Sequence, residues 1–144
     1  MRKHIINTEI PWEMDLFTIH KNTGMGDFVW NEDGVDLHLS EEQKIGGSIK
    51  GEMLEYNIKN PLNSSVLKYL LDNPELIPGH WKSKFVFFWG TIYRYFDGRL
   101  YVRCLYWRGG VWDWSGNWLE SEWSSDHPAA VLANKPACRL KTAK

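Results

Sequence analysis

Cysteine is scarce in this 144-residue chain. Cys104 and Cys138 stand far apart, and neither lies in a Cys-x-x-Cys or Cys/His arrangement. A disulfide framework and a zinc-finger spacing are therefore excluded, and the two thiols read as free in a reducing, cytoplasmic compartment. The histidines His4, His20, His38, His80 and His127 show no His-x-x-x-His or His-x-Glu spacing, so no metal site is expected. Long hydrophobic runs are missing as well. No stretch approaches the roughly 18 apolar residues of a membrane span. The basic start Met1-Arg2-Lys3 has no apolar segment behind it, which speaks against a secretory signal. Charge of one sign is not in excess, with 17 Lys and Arg against 18 Asp and Glu. Nucleic acid is thus not favoured as a partner and a membrane is not expected, although a local patch could still act. Gly24-Met25-Gly26 is too short for a nucleotide-cradling loop and reads as a turn, so no cofactor is expected.

What remains is an ordinary globular composition, 43% hydrophobic and 24% charged, in one domain spanning 1–144. Two domains of half that length would each bury too little surface. The last ten residues, with Lys135, Arg139, Lys141 and Lys144, read as a mobile basic tail. Tryptophan is the anomaly: there are nine, and Trp107, Trp112, Trp114, Trp118 and Trp123 crowd one stretch.

Patterning gives an α+β chain. Residues 1–34 hold turns and one or two short strands. Val35, Leu37 and Leu39 alternate along a strand, and Ser40 caps a short helix that Gly46-Gly47 ends. Ile49, Met53, Leu54 and Ile58 recur at helical spacing. The clearest amphipathic helix is predicted over 64–72, capped by Asn63 or Ser64 and stopped by Pro74. Beyond it, dense β-branched and aromatic residues predict an antiparallel meander over about 84–95, 100–107 and 111–118, packed with the short helices and the irregular N-terminal strands.

If Asp97-Gly98 is a two-residue turn, Ile92 faces Arg103 and Arg94 faces Tyr101. Arg94, Tyr101, Arg103 and Trp107 then share a face; a two-residue turn at Gly109-Gly110 adds Trp112, Trp114 and Trp118 to it, whereas a three-residue loop would put them on the opposite one. These seven are the candidate binding residues, since Trp and Tyr planes beside guanidinium groups suit a planar ligand, a peptide or a base. The alternative is that the aromatics are core and the arginines lie over Trp faces. Partial exposure of the arginines is the expectation, with closure by Glu52 or Glu55 as the structural alternative. On the other face, Cys104 lies between Val102 and Tyr106 and should be buried and unpaired.

Three blocks carry a resemblance. Val35-Asp36-Leu37-His38-Leu39-Ser40-Glu41-Glu42-Gln43-Lys44, the segment Leu62-Asn63 through Pro74-Glu75-Leu76-Ile77-Pro78, and Phe87-Phe88-Trp89-Gly90-Thr91-Ile92-Tyr93-Arg94 resemble a family of small uncharacterised bacterial proteins. The resemblance covers about residues 35–132. It implies a bacterial origin and brings no catalytic residue. A recognition or adaptor module acting through the aromatic, arginine-bearing sheet on an unknown protein, peptide or small planar ligand is the leading expectation. A small hydrolase or nuclease using Glu120, Glu122, Ser124, Ser125, Asp126 and His127 is a second, and an accessory or inhibitory protein of a mobile genetic element is a third.

Overall fold

Where aromatic and β-branched residues crowd the chain, the backbone runs as strand, and the helices sit where alternation gives way to helical spacing. The computed structural model describes residues 3–133. Its strands are β1 (Ile5–Asn7), β2 (Phe17–Asn22), β3 (Asp27–Val29), β4 (Val35–His38), β5 (Ile49–Lys50), β6 (Val86–Phe87), β7 (Thr91–Tyr95), β8 (Leu100–Arg108), β9 (Val111–Trp118), β10 (Glu122–Trp123) and β11 (Ala129–Leu132). Three short α-helices, α1 (Glu41–Lys44), α2 (Gly51–Glu55) and α3 (Ser64–Asp72), complete the α+β fold. The basic tail expected over 135–144 lies outside the described residues.

The helix over 64–72 and the strands over 100–108 and 111–118 stand where patterning puts them. Asn63 caps α3 by accepting the Ser65 N–H at 3.1 Å, and its Nδ2 donates to the Thr8 carbonyl at 2.8 Å. Ser40 closes a reciprocal capping box with Gln43 on α1. The helical reading of 48–58 survives only as α2. Ile49 and Lys50 instead pair with Trp123 and Glu122, and a Cβ on Gly51 would come within 2.8 Å of the Trp123 indole nitrogen.

The strand expected over 84–95 is split. At Gly90 the chain turns under the start of α3, donating its N–H to the Leu62 carbonyl at 2.9 Å. A Cβ on Gly90 would sit 2.6 Å from that of Asn63, so only glycine permits the approach. Consequently β6 and β7 pair with different parts of β8. A seven-stranded sheet results, ordered β2-β7-β8-β6-β11-β4 with β9 on the other side of β8. It contains the antiparallel meander β7-β8-β9 and one parallel pair, β6 with β11.

Both faces of this sheet are apolar, and each has its own cover. Val66, Leu67 and Leu70 of α3 join Ile6 and Trp81 over Val86, Phe88, Leu105 and Ala130. On the opposite face Leu54, Leu119 and Trp123 pack with Phe87, Ile92, Val102 and Cys104. Fully burying each such large side chain stabilises by about 1.5–3 kcal/mol. Cys104 is buried and unpaired, as its neighbours implied, and burial pushes its thiol up to about 12. No helix among the described residues is long and apolar enough to cross a membrane.

Candidate functional site

Register decides which candidate residues meet. Tyr93 lies opposite Tyr101, and Arg94 opposite Leu100, one residue away from the pairing expected of a two-residue turn. Residues 96–98 form a three-residue loop instead. Gly98 adopts φ 97° and donates its N–H to the Tyr95 carbonyl at 2.8 Å, while the Tyr95 N–H donates to the Arg99 carbonyl at 2.8 Å. Asp-Gly suits this loop as well as the shorter one, because both place glycine in the left-handed region. The consequence corrects the expected face: Arg94 points away from Arg103, is exposed, and meets His20 Nδ1 at 2.8 Å.

The second turn is the expected one. Gly109 and Gly110 both take positive φ, and Trp107 pairs with Trp112, Leu105 with Trp114 and Tyr101 with Trp118. Tyr101, Arg103, Trp107, Trp112, Trp114 and Trp118 therefore share one face. Gly116, opposite Arg103, carries no side chain, and the Tyr101 ring lies over it.

The middle of that face is closed by a segment whose role patterning did not show. Residues 9–16 cross it, and Trp12 comes down on Arg103. The guanidinium carbon sits 3.4 Å from the Trp12 ring centroid and 3.9 Å from that of Trp114, and the two indole planes meet at 74°. Arg103 is only 2% exposed, which contradicts the expected partial exposure. The closing group is Trp12 rather than Glu52 or Glu55, since α2 covers the opposite face and Glu55 pairs there with Lys21. Arg103 Nη1 reaches the Glu13 carbonyl at 3.4 Å and the Tyr93 hydroxyl at 3.5 Å. The Tyr93 hydroxyl donates in turn to the Trp12 carbonyl. Burial disfavours the charged guanidinium, and Tyr93 and Tyr101 partly offset this. Nothing in composition or period marks Trp12, because residues 8–16 carry no period.

The β2 end of the face is also filled. Phe17 packs on Tyr93, Tyr95, Tyr101 and Trp118, and Arg99 lies 3.9 Å over Trp118. Among the described residues only the Gly109-Gly110 end is left uncovered. There Trp107 and Trp112 meet edge to face at 5.2 Å and 66°. Together with Val111, Leu71 and Pro74 they line a cavity of about 290 Å³. Val111 is 55% exposed, and the Lys82 ammonium lies 4.2 Å from the Trp107 ring centroid.

The acidic and imidazole side chains of 120–127 do not converge. Glu120 reaches Arg99 at 3.6 Å, whereas Glu122 accepts from Ser48 at 2.9 Å and pairs with Lys50 at 3.3 Å. His127 Nδ1 accepts the Ser124 N–H at 2.9 Å, and its ring packs against Phe85, Phe87 and Trp123. Burial holds its pKa below the ordinary value, with Asp126 opposing. Among the described residues no three His, Cys, Asp or Glu side chains gather where a metal ion could be held.

Comparison with known proteins adds nothing to this geometry. No family model, no curated protein and no solved structure matches the chain. The resemblance of the three blocks therefore stays an expectation.

Proposed function

We propose that the protein is a non-enzymatic recognition module whose partner, a protein or peptide, seats an apolar or aromatic side chain in the Trp107–Trp112 corner. The observation that carries this is the contrast along one sheet face. Trp12 and Phe17 cover the middle and one end, while the other end leaves two indoles beside Leu71 and Pro74. The cavity is lined by aliphatic and aromatic side chains with no charged group, so selection there is chiefly by shape and aromatic contact. Its volume, about 290 Å³, suits one side chain better than a whole cofactor. Lys82 on Trp107 favours an acidic residue next to that anchor. A cytoplasmic setting belongs to the same proposal, supported by the free thiol of Cys104.

The test is selection from a random peptide library on the full chain, with Trp112→Ala as counter-selection. Binders sharing an apolar or aromatic anchor, and losing at least tenfold in affinity on Trp112→Ala, support the reading. No enrichment, or binders indifferent to Trp112→Ala, would refute it. Oligonucleotides retained through Lys82 and Trp107 while peptides are not would replace it with single-strand binding.

A further inference from the structure

We propose that Arg103 is a carboxylate-binding site, separate from the Trp107–Trp112 corner. Arginine has five N–H donors. Here Nη1 alone is engaged, by two long contacts of 3.4 and 3.5 Å, and the buried Nε has no partner. Among the described residues Nη2 donates to nothing either, and no carboxylate forms an ion pair with this guanidinium. One positive charge is thus held at 2% exposure by two indole faces, a carbonyl and a phenol, which is an expensive state for an ion without a counter-charge.

The unused groups define the ligand. Nε–H and Nη2–H lie side by side on one edge of the guanidinium and match the two oxygens of a carboxylate. A single buried positive charge is balanced by a single negative one, which favours a carboxylate over a doubly charged phosphate. Two features give access. Arg103 is one strand from the edge of the sheet, and its neighbour on β9 is Gly116, which carries no side chain and over which the Tyr101 ring lies. The covering segment 9–16 makes no backbone hydrogen bond to the sheet. It is held by side chains, through Ser64, Ser65, Tyr93 and Arg103, and Leu16 within it is 69% exposed at φ 72°, a conformation that strains a branched residue.

The experiment follows the Arg103 Nε–H resonance of the full chain, assigned through its own side chain, during titration with sodium acetate, sodium phosphate or sodium chloride at matched ionic strength. The expected result is a saturable shift with acetate and none with the other two, together with a rise in melting temperature that Arg103→Gln abolishes if that variant folds. No shift with acetate overturns the proposal. So does an equal, unsaturating shift with chloride, which is screening, or saturation by phosphate alone.

Discussion

A buried guanidinium with no carboxylate partner among the described residues depends on the groups around it, and substitutions there separate charge from packing. Arg103→Met removes the charge and keeps most of the volume, a change that is commonly neutral or stabilising at buried ionic positions. We predict an unchanged or higher melting temperature. Trp12→Ala leaves the cation and removes a wall 3.4 Å from it, and should cost about 3 kcal/mol, as for other large aromatic truncations. Equal losses in the two variants, measured by denaturant unfolding, would mean that the hydrogen bonds of Arg103 outweigh its desolvation. His127 supplies the pH test. Its Nδ1 accepts the Ser124 N–H, so the turn needs the neutral ring, and burial lowers the pKa from 6.5. A depressed folded-state value means that this stability is present above the unfolded value of 6.5 and is lost as pH falls below it. His38 shifts the same way, through burial and then Lys44. Between about pH 7 and about pH 5 the melting temperature should fall less in His127→Asn, whose side-chain oxygen can accept the same N–H, than in the wild type.

At the level of the element, β9 is an eight-residue edge strand whose outer backbone is partly closed by its own side chains. The Trp114 N–H donates to Asp113 Oδ1 at 2.8 Å and the Trp118 N–H to Asn117 Oδ1 at 2.9 Å. The Trp118 carbonyl accepts from Ser121 and from the Trp123 indole. Self-capping of this kind blunts strand addition, which is why the proposed recognition uses side chains rather than the strand edge. The double variant Asp113→Ala, Asn117→Ala frees two N–H groups and should self-associate in sedimentation velocity at concentrations where the wild type sediments as one species. An unchanged profile would show that the caps are incidental. Local chemistry of this order was legible in part. Helical spacing between a cap and Pro74 located α3, aromatic and β-branched density located β8 and β9, and the glycine pair located the Gly109-Gly110 turn. Asp97-Gly98 fits two loop lengths that differ by one residue, and that residue moves Arg94 to the other face. The split at Gly90 arises from contact with Asn63, distant in sequence, and no period announces it.

For the whole molecule, the deciding feature is that one sheet is covered twice, by α3 and the N-terminal segment on one face and by α2, β5 and β10 on the other. Tryptophan abundance signalled an aromatic sheet but did not separate core from surface, because the cover over Arg103 comes from an aperiodic segment about ninety residues away. Trp81, Trp89 and Trp123 are core, at 2%, 3% and 0% exposure. Trp107 and Trp112 wall the open corner. The direct measurement is fluorine NMR of the chain labelled with fluorotryptophan, each signal assigned by a single Trp→Phe variant, during titration with a neutral gadolinium chelate. The signals of Trp107 and Trp112 should broaden first, with those of Trp81, Trp89 and Trp123 unaffected. Broadening of the three core signals alongside them, or protection of Trp107 and Trp112, would contradict the open corner on which the proposed function rests.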